Sequence, residues 1–250
     1  KKMPAGNEGA GTVVAAGSSK EAQALMGKKV SLVGGMMYRT HRRIKAAEVV
    51  PLPDDAEAAE GASLFVNPMT VQGFLNTMRM EGHSALVHTA AASNLGQMLA
   101  KLCLKEDVPL VAIVRSDAQK KILTDIGLTH VVDSSKDSFM GDLIDALVET
   151  GATLGFDAIG GGKMANYILT AMEQAAAKRG EEFSVYGSTV HKQVYIYGRL
   201  DTGETILTSS YGMFWGVGGW PLMPHLEKAG MERMMEMRRY TVEERNGIFK

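Results

Sequence analysis

The sequence predicts an α/β protein in which a partial β-rich unit is followed by a doubly wound parallel sheet. Three observations lead there. From Ser84 onward, short apolar runs alternate with helix-length segments, the rhythm of parallel strands joined by right-handed crossovers. Ahead of that, residues 6–50 are rich in glycine and valine and hold short β-like runs. At the first strand-to-helix junction stands Thr89-Ala-Ala-Ala-Ser-Asn-Leu-Gly96, a run of small residues.

Taken in order, strands are expected over 11–16, 29–33 and 43–50. Such a unit is too short to close a barrel or sandwich alone, so further material upstream is expected. Pro51-Leu-Pro53 marks a turn, after which Asp54 is expected to cap a short helix through Ala59. A second apolar helix is expected over 62–80, tolerating or kinking at Pro68. The alternating part then reads as strand 85–89, helix 94–105, strand 110–114, helix 117–126, strand 130–132, helix 138–149, strand 153–158, helix 163–177 and strand 193–197. That makes a doubly wound sheet of five or six strands. Residues 231–250 are charged and helix-prone and end without a capping signal, so more chain is expected there too.

Composition removes several functions. With 250 residues, 45% of them hydrophobic, the chain is long enough for one large core or two. Its 27 basic and 28 acidic residues give a net charge of −1, so no basic excess suggests a nucleic-acid partner. It has neither a membrane-length apolar run nor the apolar core of a signal peptide, and reads as soluble and cytoplasmic. A single cysteine, Cys103, can form neither an intrachain disulfide nor a thiolate-rich zinc site. Its setting, Ala-Lys-Leu-Cys-Leu, fits a buried helix position.

The small-residue junction suits a nucleotide. Backbone N–H groups of Ala92, Ser93, Asn94, Leu95 and Gly96 can approach a pyrophosphate there, and a helix N-terminus adds favourable potential. Small residues equally let a helix pack closely on a sheet, so the turn alone leaves both readings open. After the second strand, where an acidic residue would bind the ribose hydroxyls of NAD, the chain has Arg115 and Ser116, then Lys120 and Lys121. A guanidinium, a hydroxyl and an ammonium suit a 2′-phosphate and point to NADP(H). A solvated helix start partly neutralised by Asp117 is the alternative.

Longer motifs then become specific. Gly6-Asn-Glu-Gly-Ala-Gly-Thr-Val-Val-Ala-Ala-Gly17 resembles a G-H-E-x-x-G-x-V-x-x-x-G strand segment. Gly127-Leu-Thr-His-Val-Val-Asp133 resembles L-G-A-D-H-V-I-D, and Phe156-Asp-Ala-Ile-Gly-Gly161 resembles D-x-V-G-G. Together with the junction at residues 85–100, in this order, they resemble the medium-chain dehydrogenase/reductase superfamily, nearest its zinc-free quinone oxidoreductase-like members. The resemblance implies a partial GroES-like catalytic domain over 1–62, a Rossmann domain over 63–220 and a C-terminal helical segment over 221–250 that returns toward the catalytic domain. It implies NADP(H) as cofactor and Gly160 in the cofactor site. Departures matter as well. Asn7 stands where zinc enzymes have a ligating histidine, so no three-ligand zinc site is expected. Ser93 replaces the middle glycine of the phosphate turn, and its hydroxyl is a candidate phosphate donor.

Val66-Asn-Pro-Met-Thr70 resembles the V-N-P-x-T segment of NADPH-dependent enoyl thioester reductases, which implies that Asn67 and Thr70 lie near the nicotinamide. A Pro-initiated helix turn with an Asn cap is the plainer reading. Tyr197 and Gly198 end the strand whose family equivalent runs past the carboxamide. Tyr186 and His191 fall in a longer link, where they could polarise a carbonyl but are read as a loop with aromatic packing, and Trp215 to Trp220 is read as lining a cleft or a dimer contact. His83 and His88 are read as hydrogen-bonded structural residues, and the Met-rich stretch 231–237 as packing surface. The implied activity is hydride transfer from NADPH to a small molecule, a quinone, an enone or an enoyl compound, with enoyl thioester reduction and a non-catalytic NADPH sensor as alternatives. No acid–base residue is assignable. The resemblance also implies a homodimer formed through sheet edges, with the apolar stretch 194–211 as a candidate.

Overall fold

The computed structural model describes residues 5–250. The chain forms two compact units, one of residues up to 70 together with 226–250, the other of residues 71–225.

In the first unit, β1 (Glu8–Thr12), the short helix α1 (Lys20–Gln23), β2 (Lys29–Val33) and β3 (Val49–Pro51) are followed by α2 (Ala58–Gly61) and the start of α3 (Val66–Met80). The strands make an antiparallel sheet in the order β1-β2-β3, pairing Glu8 with Val33 and Leu32 with Val49. β1 lies earlier than the expected strand at 11–16: Val14 is 66% exposed, with no core to face. Most of the expected strand 43–50 is irregular. Only Val49 and Val50 join the ladder, after a turn of 3-10 helix at Ala46–Glu48. Asp54 caps nothing; α2 begins at Ala58, and the Glu60 carboxylate accepts from the Glu57 N–H at 2.8 Å. α3 starts four residues later than expected. Pro68 falls in its first turn, where a missing N–H costs nothing, so the helix continues unbroken. Val30, Leu52, Leu64, Phe65 and Met69 are buried in this unit. At Gly61 a Cβ would stand 2.5 Å from Leu52 Cδ1, so a larger residue there would have to displace that side chain.

In the second unit, β4 (Leu86–His88), α4 (Asn94–Lys105), β5 (Leu110–Val114), α5 (Asp117–Ile126), β6 (Val131–Asp133), α6 (Phe139–Thr150) and β7 (Leu154–Asp157) follow the expected alternation. Then come β8 (Gly160–Gly162), α7 (Met164–Lys178), the hairpin of β9 (Phe183–Ser184) and β10 (Gly187–Ser188), β11 (Lys192–Ile196), β12 (Asp201–Thr205) and β13 (Trp215–Gly219). Six strands form one parallel sheet in the order β13-β11-β7-β4-β5-β6. The order reverses between β4 and β7, and a doubly wound sheet opens its ligand crevice at the carboxyl ends of such a pair. Val87, Val111, Ile113 and Val132 form a core with Phe139, Leu143 and Leu147 of α6 and Ile168, Leu169 and Met172 of α7. Elsewhere in this unit Phe74 of α3 stacks on Phe156, ring centroids 3.9 Å apart. The fold class is as the sequence predicts. The sixth strand, however, is Trp215–Gly219, read from sequence as a cleft or contact lining, and the link expected as a loop carries the β9–β10 hairpin.

The chain closes with α8 (Leu222–Ala229) and α9 (Met231–Glu243). On α9 the packed face is Met237 and Thr241, whereas Met231 and Met235 are exposed, so only part of the methionine run is packing surface. Thr241 donates to the Met237 carbonyl at 2.9 Å and lies 4.0 Å from Met69 Sδ. Among the described residues no helix is long and apolar enough to cross a membrane.

Candidate nucleotide and substrate site

The turn from β4 to α4 is held from below by one buried carboxylate. Thr89 donates its hydroxyl to Asp157 Oδ1 at 2.7 Å, and the Ala158 N–H donates back to Thr89 Oγ1 at 2.8 Å. The N–H groups of Ile159 and Gly160 donate to the same carboxylate at 2.9 and 3.1 Å. A fully bonded buried carboxylate fixes backbone far better than an apolar contact, because leaving any partner unpaired costs its desolvation. The two loops that flank the crevice, after β4 and after β7, are thereby tied together.

Above this knot the turn is shaped by size. Ala90 adopts a left-handed φ of 49°, uncommon without glycine. Ser93 caps α4, its hydroxyl oxygen accepting from the Gly96 N–H at 3.2 Å. That hydroxyl keeps its own proton to donate, and Ser93 and Asn94 are both exposed at the helix start. At Gly96 a Cβ would stand 2.1 Å from the Ala91 carbonyl oxygen. Close approach of helix to turn is therefore reason enough for that glycine. A similar approach explains Gly198, where a Cβ would lie 2.7 Å from the Ala158 carbonyl oxygen, and Gly160, whose φ of 82° faces the Gly198 carbonyl.

At the end of β5 the Arg115 N–H is taken by Gln119 Oε1 at 3.0 Å, and Ser116 caps α5 by accepting from the Gln119 N–H. The Arg115 guanidinium and the Lys120 ammonium are exposed. Asp117, the expected neutralising group, is instead paired with Lys136 at 2.9 Å, and Lys121 pairs with Asp125. Sequence reasoning missed Lys136, which only the fold brings to α5. It also missed Asp133, opposite Val114 in the ladder. One of its carboxylate oxygens binds Ser135, while the other is buried without a hydrogen-bond partner. An orphaned acceptor beside exposed cations suits a polar ligand carrying both donors and phosphate.

Tyr197 follows β11. Its hydroxyl lies 2.7 Å from His88 Nε2, and Phe74 meets both rings. Burial pushes the His88 imidazole down to about 3, so it is neutral, and burial raises the Tyr197 phenol. His88 is hydrogen-bonded through one nitrogen only; its Nδ1 is buried without a partner. The Cys103 thiol is buried and pushed up by desolvation, which makes it an inert core group.

In the first unit the start of α3 is capped from a distance. Glu8 Oε2 accepts from the N–H groups of Phe65 and Val66 at 3.0 and 2.9 Å. Asn67 lies inside the helix rather than at its cap, and Thr70 donates to the Val66 carbonyl at 2.6 Å. Sequence reasoning overlooked Glu8, although it belongs to the quoted Gly6–Gly17 motif. Among the described residues no group of three or more His, Cys, Asp or Glu side chains could hold a metal ion.

No protein-family model matches the chain. It is 28% identical over 157 residues to a highly reducing polyketide synthase of Gibberella zeae, covering 61% of this chain and 6% of that protein. It is 27% identical over 139 residues to the mitochondrial enoyl-[acyl-carrier-protein] reductase of Bos taurus, covering 52% of this chain and 37% of that one. The chain thus spans well under half the length of either relative. A crystal structure from Mesorhizobium loti, assigned as an NADPH:quinone reductase, superposes with a TM-score of 0.81 at 28% identity, covering 98% of this chain and 68% of that one. The structural neighbours include NADPH:quinone reductase-like members of the medium-chain dehydrogenase/reductase superfamily.

Proposed function

We propose that this chain forms an NADPH-dependent oxidoreductase that reduces a quinone, an enone or an enoyl compound without zinc. The observation that carries the reading is Arg115: an exposed guanidinium at the carboxyl end of β5, whose neighbouring acid Asp117 is drawn off by Lys136. When bound, NADPH would supply a hydride: to the carbon β to the carbonyl of an enone or enoyl compound, with a solvent proton joining the α carbon, or to a quinone, which takes up a solvent proton as well and leaves as the hydroquinone.

The chain's own residues bind and orient. Arg115, Ser116 and Lys120 receive the 2′-phosphate, a role in which a fork of N–H donors outperforms a point charge. Ala92, Ser93, Asn94, Leu95 and Gly96 offer the pyrophosphate a helix start and a serine hydroxyl. Gly160, Tyr197 and Gly198 serve the carboxamide end, and Asn67 and Thr70 are assigned to the nicotinamide end on resemblance. The His88 hydrogen bond fixes the Tyr197 ring, and the neutral imidazole adds no charge beside it. Enoyl reduction is the second reading, favoured by Val66-Asn-Pro-Met-Thr70 and by the bovine relative. A cytoplasmic homodimer joined at the sheet edge completes the proposal.

Titration with NADPH and NADH, followed by nicotinamide fluorescence, tests it. Arg115→Ala should weaken NADPH about 10- to 100-fold, the loss of a charged hydrogen-bond set, and leave NADH within about twofold. Failure of the wild type to bind either nucleotide would remove the oxidoreductase reading; binding without turnover of any quinone, enone or enoyl substrate would leave a sensor.

A further inference from the structure

Arg238, on α9 in the first unit, differs from two nearby arginines that are ion-paired. Arg233 pairs with Glu236 and Arg245 with Asp55, each within 2.9 Å. Arg238 has no carboxylate partner among the described residues. Its Nε, like that of Arg245, is buried without a hydrogen bond, but Arg238 alone of the two lacks a carboxylate, and its guanidinium carbon lies 5.3 Å from the centre of the Phe65 ring. Desolvation alone lowers its pKa, with no acidic neighbour to counter it. Burying part of a guanidinium without an anion is unfavourable, and a ring face offsets only part of that loss.

Its position gives the feature a use. Phe65 immediately precedes α3, whose first turn carries Asn67 and Thr70. One turn beyond Arg238 along α9, Thr241 packs near Met69 of the same α3 turn. The guanidinium therefore stands at the end of α3 that the proposed function assigns to the reacting part of the ligands. The acid present there, Glu8, is already committed to the Phe65 and Val66 N–H groups.

We infer that Arg238, oriented by the Phe65 ring, binds an oxyanion on the substrate, so that the preferred substrates are conjugated carbonyl compounds bearing a carboxylate or a phosphate rather than neutral quinones. This rests on the proposed reductase activity and narrows its substrate class. A planar guanidinium held against a ring is pre-oriented for two-point contact with a carboxylate or phosphate.

The experiment uses a matched pair, 3-benzoylacrylate and its methyl ester, with crotonyl-CoA as a phosphate-bearing thioester and Arg238→Met and Arg238→Lys as variants. For the acid, Arg238→Met should raise KM about 10- to 100-fold, the loss of a charged hydrogen bond, and Arg238→Lys should recover part of it. KM for the ester should stay within about twofold in both variants, and kcat for all should hold, which a folding defect would not allow. Crotonyl-CoA affected in place of benzoylacrylate would identify the anion as a carrier phosphate. Equal effects on acid and ester, or none on any anionic substrate, would overturn the inference. Calorimetric binding of the saturated acid, 3-benzoylpropionate, and of butyryl-CoA decides the matter without turnover. Arg238-dependent binding of either supports the anion site even if reduction fails, and binding of neither, or binding that survives Arg238→Met, overturns it.

Discussion

Two regions of the second unit are tied down by buried carboxylates in opposite ways. At the crevice between β4 and β7, Asp157 is satisfied by one hydroxyl and two backbone N–H groups, all from the two loops it joins. At the β9–β10 hairpin, Glu173 of α7 accepts from the Ser188 N–H and hydroxyl and forms an ion pair with Lys192 at 2.7 Å, the lysine being 1% exposed. Lys192 also donates to Ser188 Oγ and the Val190 carbonyl. Burial pushes the Glu173 carboxyl up, but hydrogen bonds from Lys192 and Ser188 outweigh it and the net shift is downward. Neutral donors at the crevice fix the loops while leaving the surface above them free for the cationic residues proposed to meet a ligand. The hairpin knot carries its own cation and is complete without one. Its arm ends in exposed apolar groups, Val185 at 94% and Tyr186 at 68%.

The sharpest way to break this contrast is Lys192→Met, which strands Glu173 in a buried site. A loss of about 3–5 kcal/mol is expected, with most of it restored by adding Glu173→Leu, because a removed ion pair costs far less than a half-removed one. Urea unfolding of the single and double variants checks this, and a double variant no better than the single would mean that the pair is not what anchors the arm. At the crevice Thr89→Val removes one hydroxyl and leaves both Asp157 Oδ1 and the Ala158 N–H short of a partner. It should cost about 2–3 kcal/mol and weaken NADPH binding through the loosened turn. A stability loss with unchanged nucleotide affinity would separate the knot from the site.

The third test concerns protons. His88 has a folded-state pKa of about 3 against an ordinary 6.5. The unfolded chain therefore binds a proton that the folded chain refuses between those values. The contribution is fully present above about pH 6.5 and is lost as pH falls toward 3, by about 1.4 kcal/mol per pH unit. His88→Gln should flatten the acid limb of stability between pH 6.5 and pH 5 by about that slope; an unchanged limb would place the titration elsewhere.

Most of the second unit was legible because its strands are apolar runs bounded by capped helices. Asn94–Lys105 and Asp117–Ile126 match the expected spans to the residue, and the structure adds that the Ser93 and Ser116 hydroxyls cap them. β13 was not legible: Trp-Gly-Val-Gly-Gly has three glycines and little strand propensity, and only pairing with β11 makes it a strand. β12, Asp-Thr-Gly-Glu-Thr, is wholly exposed and has no apolar face to betray it. Among the candidate site residues, Arg115 and Ser93 are singled out by the sequence because they stand at fixed places in a strand–turn–helix unit. Lys136 and Glu8 are not, because their partners are distant in sequence. Arg238 hid in a methionine-rich helix whose polar members look like ordinary solvent-facing charges.

The cap that Glu8 supplies to α3 from 57 residues away concerns time as well as energy. A helix with a local cap can nucleate as soon as its own residues are available. The first turn of α3 gains its cap only when β1 is brought back to it, a closure whose entropy is lost before the two hydrogen bonds form. If that closure follows the rate-limiting step, the Glu8 cap on the stretch holding Asn67 and Thr70 slows unfolding without hastening folding, so Glu8→Gln should speed unfolding and leave the folding rate unchanged.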